Sequence, residues 1–156
     1  MRLLMSFLSL LLFVFLVLPQ DVHASPDRDF KGFQGSIKSH EVNVRAGPGT
    51  NFPILWVFKM RGYPVKAVAK YSHWYKIRDA EGEEGWIHQN FMSTRETALI
   101  KSREPAVLYK DRDGVHPLLK LENGVLVVLK RCALGRCEVE VSGEDGWIDS
   151  TKLKRP

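Results

Sequence analysis

The side chains that most often carry out catalysis are sparse in this sequence and stand apart from one another. The five histidines form no pair at metal-site spacing, and Cys132 and Cys137 alone are too few for a structural zinc site. The carboxylates run together at two turns, Glu81–Glu84 and Glu144–Asp145, where solvated loop charges are the simplest interpretation. A cysteine peptidase needs its nucleophile at a helix start, and no helical period accompanies either cysteine. We therefore predict a protein that is not an enzyme and that holds no metal and no cofactor.

The two cysteines are better suited to a crosslink. Cys132 and Cys137 are separated by four residues. In an oxidising compartment a close, even pair indicates one disulfide, and a strand hairpin with a four-residue loop would set the two opposite each other. A pair of free thiols in the same hairpin is the alternative.

Aromatic side chains are the stronger candidates for binding. Alternation along a strand places Tyr75 and Ile77 on one face and Trp74 on the other, beside Lys76 and Arg78, which must face water. An exposed tryptophan on a strand indicates a binding surface, with packing against another part of the molecule as the alternative.

Other aromatic residues extend this surface. Tyr71 and His73 flank Trp74, and the three together predict an aromatic shelf for a peptide or a sugar, although a contact between domains fits equally well. Trp56 lies in a stretch that is apolar on both faces, so alternation does not orient it, and core burial is favoured over ligand contact.

The elements that must position these residues are strands. From Ile37 onward, β-branched or aromatic runs alternate with glycine and proline, and no stretch keeps a 3.6-residue period. This pattern predicts an all-β protein. The predicted strands are 37–44, 54–58, 64–70, 74–78 and 85–88, then 106–110, 118–121, 125–131, 137–141 and 146–149, with 97–102 as a further strand or a crossover.

The two sets of strands repeat each other. Gly85-Trp86-Ile87 recurs as Gly146-Trp147-Ile148, each time after an acidic turn. A period near 60 predicts two tandem five-strand barrels, domain 1 at 37–93 and domain 2 at 97–156. The stretch 125–129 is apolar at every position, so both faces of that strand need cover, and we expect the two copies to touch.

Comparison of the copies indicates which one binds. In domain 2 Arg136 takes the place of Trp74, and Cys137 takes the inward place of Tyr75. Domain 1 is therefore the predicted binder, and domain 2 is a stabilising or docking partner.

The start of the chain predicts export. Residues 1–24 combine Arg2, the apolar run Leu3–Leu18 and a small-residue exit at Ala24, the three parts of a cleaved signal peptide; an uncleaved anchor is the alternative. Residues 25–36 are polar and predict a linker. The net charge of +5 favours acidic partners such as anionic wall polymers. We predict no nucleic-acid partner, since an exported protein rarely meets one, and membrane contact only during export.

Residues 43–53, Asn-Val-Arg-Ala-Gly-Pro-Gly-Thr-Asn-Phe-Pro, resemble the signature of bacterial SH3-like domains. In that family a strand ending in asparagine, a variable residue and arginine leads into a glycine-proline loop. The stretches 74–77 and 85–87 fit its later strands in order, whereas domain 2 lacks the opening motif and resembles a degenerate copy. The whole resembles exported tandem bacterial SH3-domain proteins.

This resemblance implies a role for the loop and for one more tryptophan. It places Trp86 at the groove edge, partly in the core and partly open to ligand. Positive φ at Gly47 and Gly49 would let the loop fold back, and Arg45 at its base would bond to loop carbonyls, a structural role that we favour over ligand contact.

The resemblance also sets the expected function. It implies a non-enzymatic binding module, exported to the periplasm or cell envelope, that recognises peptidoglycan or cell-wall peptides through the aromatic groove of domain 1. The alternative is an envelope protein-protein interaction adaptor, or a regulator of a separate wall enzyme.

Overall fold

The computed structural model describes residues 27–156, so the predicted signal peptide lies outside the described residues. This part of the chain is all-β: fourteen strands form two antiparallel sheets, with two single-turn 3₁₀ helices at Gln89–Phe91 and Ser150–Lys152. None of the described residues forms a helix long and apolar enough to span a membrane.

The first unit is a seven-stranded sheet. Its strands are β1 (Phe33–Ile37), β2 (Val42–Arg45), β3 (Ile54–Phe58), β4 (Pro64–Tyr71), β5 (Trp74–Asp79), β6 (Glu84–His88) and β7 (Met92–Ser93). They lie in the order β3-β2-β6-β5-β4-β1-β7.

The second unit repeats this arrangement. Its strands are β8 (Thr97–Ile100), β9 (Ala106–Tyr109), β10 (Pro117–Leu121), β11 (Leu126–Ala133), β12 (Arg136–Val141), β13 (Glu144–Asp149) and β14 (Leu153–Lys154). Their order, β10-β9-β13-β12-β11-β8-β14, is that of the first unit with every number raised by seven. The repeat seen in the sequence is therefore a repeat of strand order.

Three predictions about the strands are wrong. The predicted strand 37–44 is interrupted at residues 38–41, because β1 pairs with β4 and β7 while β2 pairs with β3 and β6, so the chain must cross the sheet between them. Part of the predicted linker 25–36 is strand: β1 begins at Phe33, whose ring lies 5.5 Å from that of Tyr75. Each sheet has seven strands rather than five.

Each unit has its own apolar core, built from the inward positions of its strands. Ile77 on β5 is wholly buried whereas its neighbour Arg78 is exposed, as alternation requires. The buried residues of the first core are Ile37, Val42, Val44, Phe58, Val65, Ile77 and Ile87. Those of the second are Ala98, Ile100, Ala106, Leu108, Leu121, Val127, Cys137, Val139, Val141 and Ile148.

The two units touch, as the apolar stretch on β11 predicted. The Thr97 hydroxyl donates to the Gly62 carbonyl oxygen at 2.7 Å, and Thr97 is only 5% exposed. Leu126 packs so closely on Gly62 that a Cβ there would lie 2.6 Å from its Cδ2. Lys154 of the second unit forms an ion pair with Glu81 of the first.

Candidate functional site

A hollow of about 440 Å³ opens on the surface of the first unit, where β2, the start of β5 and the end of β6 meet. Its size falls within the range of small-ligand sites. It is lined by Glu41, Val42, Asn43, Arg45, Thr50, Trp74, His88 and Phe91. We call it the first-unit hollow.

One side of this hollow is an aromatic wall made of Trp74, His88 and Phe91. Trp74 begins β5 and lies opposite His88, the last residue of β6, so sheet register brings the two rings together. Their centroids are 5.5 Å apart in an edge-to-face arrangement, and Phe91 follows at 6.4 Å from His88. Such contacts hold the rings in place before a ligand arrives, so binding costs little further side-chain entropy.

The other predicted aromatic residues lie outside this lining. His73 lies in the β4–β5 turn and stacks on His88, with the ring centroids 6.2 Å apart. Tyr71 is exposed, Trp56 packs edge-to-face on Phe58 against the core, and Trp86 is half-buried opposite Arg45. Of the residues singled out in the sequence, the hollow brings together Trp74 and Arg45.

Two residues of the aromatic wall were not singled out from the sequence. His88 follows Trp86 on the outward positions of β6, so strand alternation was a signal that could have found it. Phe91 lies in a 3₁₀ turn, where no periodicity marks the face that a side chain presents.

Arg45 anchors the loop beside the hollow. Its Nη1 donates to the carbonyl oxygens of Thr50, at 3.0 Å, and Phe52, at 2.8 Å, as predicted for the base of this loop. The expected positive φ at Gly47 and Gly49 is absent. Gly47 is instead required because the Phe52 ring fills the place of a side chain, 2.4 Å from a Cβ built there.

Charges beside the hollow are mostly neutralised by neighbours. Glu41 on the rim pairs with Lys59 at 2.6 Å. On the outward face of β5 and β6, hydrogen bonds from Lys76 and then Arg78 lower the pKa of Glu84, which remains a carboxylate. The described residues contain no group of three histidine, cysteine or carboxylate side chains placed to hold a metal ion.

The second unit carries different residues at the same positions. Tyr109 stands in register where Arg45 stands in the first unit, and Arg136 stands where Trp74 does. The Arg136 guanidinium lies 5.3 Å over the Tyr109 ring, and a Cβ on Gly114 would lie 2.5 Å from its Nη2. An arginine packed between a ring and a loop therefore replaces the tryptophan of the aromatic wall.

Cys132 and Cys137 are joined by a disulfide. They lie directly opposite each other on β11 and β12 with a Cα–Cα distance of 4.0 Å. The predicted four-residue loop is wrong: the strands continue to Ala133 and Arg136, leaving a two-residue turn at 134–135 in which both residues have positive φ. Primed two-residue turns of this kind match the twist of a hairpin.

Residues 38–93 match the family model described as "Bacterial SH3 domain". This match confirms the resemblance of domain 1 to bacterial SH3-like domains, and it does not extend to the second unit. No curated protein matches the chain.

Two solved structures are similar to parts of the chain. "Structure of NlpC2 from Trichomonas vaginalis" is 15% identical with a TM-score of 0.38, covering 80% of this chain and 48% of that one. "Structure of NlpC1 from Trichomonas vaginalis" is 13% identical with a TM-score of 0.35, covering 85% and 49%. The chain spans about half the length of these two structures.

Proposed function

We propose that this protein is an exported, non-enzymatic binding module built from two tandem SH3-like barrels. The match of residues 38–93 to the bacterial SH3 domain and the identical strand order of the two sheets support this architecture. The second unit, which lacks the opening motif, is the degenerate copy and stabilises the first.

The ligand that we propose is peptidoglycan or a cell-wall peptide, bound in the first-unit hollow. The observation that carries this proposal is the aromatic wall, in which Trp74, His88 and Phe91 line one open hollow with Arg45 and Asn43 near by. Rigid aromatic rings supply contact area, and the polar residues beside them orient a peptide. The net charge of +5 draws the protein to an anionic wall.

Export to the periplasm or cell envelope fits two features of the chain. Residues 1–24 have the composition of a signal peptide, and the disulfide suits an oxidising compartment. Fractionation of cells that produce the full chain tests this part: the protein should be found outside the cytoplasm, without residues 1–24.

Co-sedimentation with purified sacculi tests the ligand. Protein lacking residues 1–24 is mixed with sacculi and centrifuged, beside the variants Trp74→Ala and Trp147→Ala. Trp147 is a half-buried tryptophan of the second unit and serves as the matched control. We expect the wild type and Trp147→Ala to pellet and Trp74→Ala to remain in the supernatant.

The fold of each variant is checked by circular dichroism and thermal unfolding. A Trp74→Ala protein that is folded and still pellets would contradict the assignment of the hollow. A wild type that stays in the supernatant at moderate salt would contradict wall binding itself.

A protein partner in the envelope is the second candidate, favoured by the edge strand β3. Ile54 and Leu55 are 48% and 52% exposed there, and among residues 27–156 β3 pairs on one side only, with β2. Exposed apolar edges accept a further strand from a partner. Crosslinking should then capture a partner protein with the wild type and not with Leu55→Lys. The wild type should show no affinity for sacculi.

A further inference from the structure

A second hollow, of about 370 Å³, lies between the two units. The first unit contributes the end of β1 and the turn before β4, and the second unit contributes β8 and β11. Its apolar floor includes Ile37 from one unit and Leu126 and Val128 from the other. We call it the inter-unit groove. It shares no lining residue with the first-unit hollow.

The charged side chains that line this groove are all basic. Lys38 follows β1, Arg61 precedes β4, and Arg95 lies in the connection between the units; all three are exposed. Within residues 27–156 neither Lys38 nor Arg61 has a carboxylate partner, and Arg95 reaches Glu140 only at 3.5 Å. No carboxylate lines the groove, so the charges of Lys38 and Arg61 are open to an anionic ligand.

The hydroxyl groups of the groove are already used within the protein. Ser36 Oγ donates to the Arg95 carbonyl oxygen, and Thr97 Oγ1 donates to that of Gly62, both at 2.7 Å. With the hydroxyl groups used in this way, two features of the groove are open to a ligand: its apolar floor and the unpaired positive charges of Lys38 and Arg61.

We propose that the inter-unit groove binds an extended peptide segment of a partner protein in which carboxylates alternate with apolar side chains. In an extended chain alternate side chains point to opposite sides. The apolar side chains would then lie on the floor of the groove, and the carboxylates of the other set would be paired by Lys38 and Arg61 at the rim. A second copy of this chain suits the groove poorly, because its own net charge is +5. Since the ligand bridges both units, it also holds them in one arrangement.

Fluorescence anisotropy with synthetic peptides tests this proposal on the protein lacking residues 1–24. The probe is a fluorescein-labelled, acetylated heptapeptide of alternating glutamate and leucine. Its comparison peptides alternate lysine with leucine, or contain glutamate alone. We expect the glutamate-leucine peptide to bind tightest and its affinity to fall as salt is raised, because exposed charges are screened.

Charge reversal locates the site. The double variant Lys38→Glu/Arg61→Glu should weaken binding of the glutamate-leucine peptide by about tenfold or more, since it brings like charges together across the interface. Lys31→Glu/Arg103→Glu changes the net charge equally at two exposed positions outside the groove and should bind as the wild type does. Trp74→Ala should also bind normally, which separates this groove from the wall-binding proposal.

Several results would overturn the proposal. Equal weakening in both double variants would show attraction by net charge alone, and loss in Trp74→Ala would place the peptide in the first-unit hollow. If the lysine-leucine peptide bound equally well, the basic rim would have no role in binding. If the glutamate-only peptide bound equally well, the apolar floor would have none. Peptide-free sedimentation that shows a dimer, broken by Lys38→Glu/Arg61→Glu, would make a second copy the occupant.

Discussion

Two residue positions decide whether a unit has an open aromatic wall. The first unit has Arg45 and Trp74 where the second has Tyr109 and Arg136, so an arginine and an aromatic residue have exchanged strands. In the first unit the arginine is bonded to its loop and the tryptophan faces the hollow. In the second, the arginine covers the ring. The exchange thus leaves an aromatic wall open in one unit only.

Removing the Arg45 side chain should loosen the loop at residues 46–53. Arg45→Ala loses two hydrogen bonds from a charged donor, so we expect the free energy of unfolding to fall by about 2 kcal/mol or more. Amide hydrogen exchange should accelerate in the loop. Arg78→Ala is the matched control, because it breaks a surface ion pair with Glu84 and leaves the loop intact. Unchanged exchange in the loop of Arg45→Ala would contradict this role.

At the scale of elements, the β11–β12 hairpin is held by a covalent link that the β4–β5 hairpin lacks. Cys132 is exposed while Cys137 is buried in the second core, so the link ties the turn end of the hairpin to that core. Because the link closes a short loop, its effect on the unfolded chain is modest.

Replacing both cysteines should lower the free energy of unfolding by about 2 kcal/mol. Cys132→Ala/Cys137→Ala is compared with the wild type by denaturant unfolding and by amide hydrogen exchange. The loss should appear in strands of the second unit and not in β2 or β6. Adding reductant should weaken the wild type and leave the variant unchanged. Equal stability of the two oxidised proteins would contradict a stabilising disulfide.

Strands were predicted correctly where neighbouring residues in the sequence determine them, and were missed where contacts distant in sequence do. The strands at 54–58 and 74–78 were predicted because alternation and β-branched or aromatic residues mark them within a few positions. β1 was missed because its sequence, FQGSI, is largely polar or small. It fits because Gly35 lies against Ser93 of β7, where a Cβ would stand 2.2 Å from the carbonyl oxygen. Such a long-range contact leaves no periodic trace.

The candidate site divides in the same way. Trp74 was found because the charges of Lys76 and Arg78 on its face showed which side meets water. Phe91 belongs to the site only because a 3₁₀ turn returns it to His88, a position decided by tertiary packing. Tyr71 was grouped with Trp74 from nearness in sequence, yet it faces solvent outside the hollow.

At the scale of the whole molecule, a chain of polar contacts crosses from one unit to the other. Tyr63 packs beside the first core within reach of the Glu81 charge, and Glu81 is paired with Lys154 of the second unit. Burial, followed by the charges of Asp79 and Glu81, raises the pKa of Tyr63 from 10.0 to about 12. The neutral phenol is therefore the form that the folded protein favours.

This raised pKa makes stability fall in alkali. Below about pH 10 Tyr63 is neutral whether the chain is folded or unfolded, so its contribution is fully present. As pH rises towards 12 the unfolded chain loses the proton first, and the free energy of unfolding falls. We expect Tyr63→Phe, which keeps the ring, to show a smaller fall between these pH values than the wild type in denaturant titrations. Parallel curves for the two proteins would contradict the shift.

The position of the first strand in each sheet also constrains how the protein folds. β1 lies between β4 and β7, and its last pair, Ile37 with Met92, joins the two ends of the unit. β8 and β14 repeat this closure in the second unit. The first strand of each unit pairs with the last strand. A nascent chain therefore cannot complete either sheet until that unit's final strand has been synthesised. Non-local closure of this kind is typical of domains that fold in milliseconds to seconds rather than microseconds.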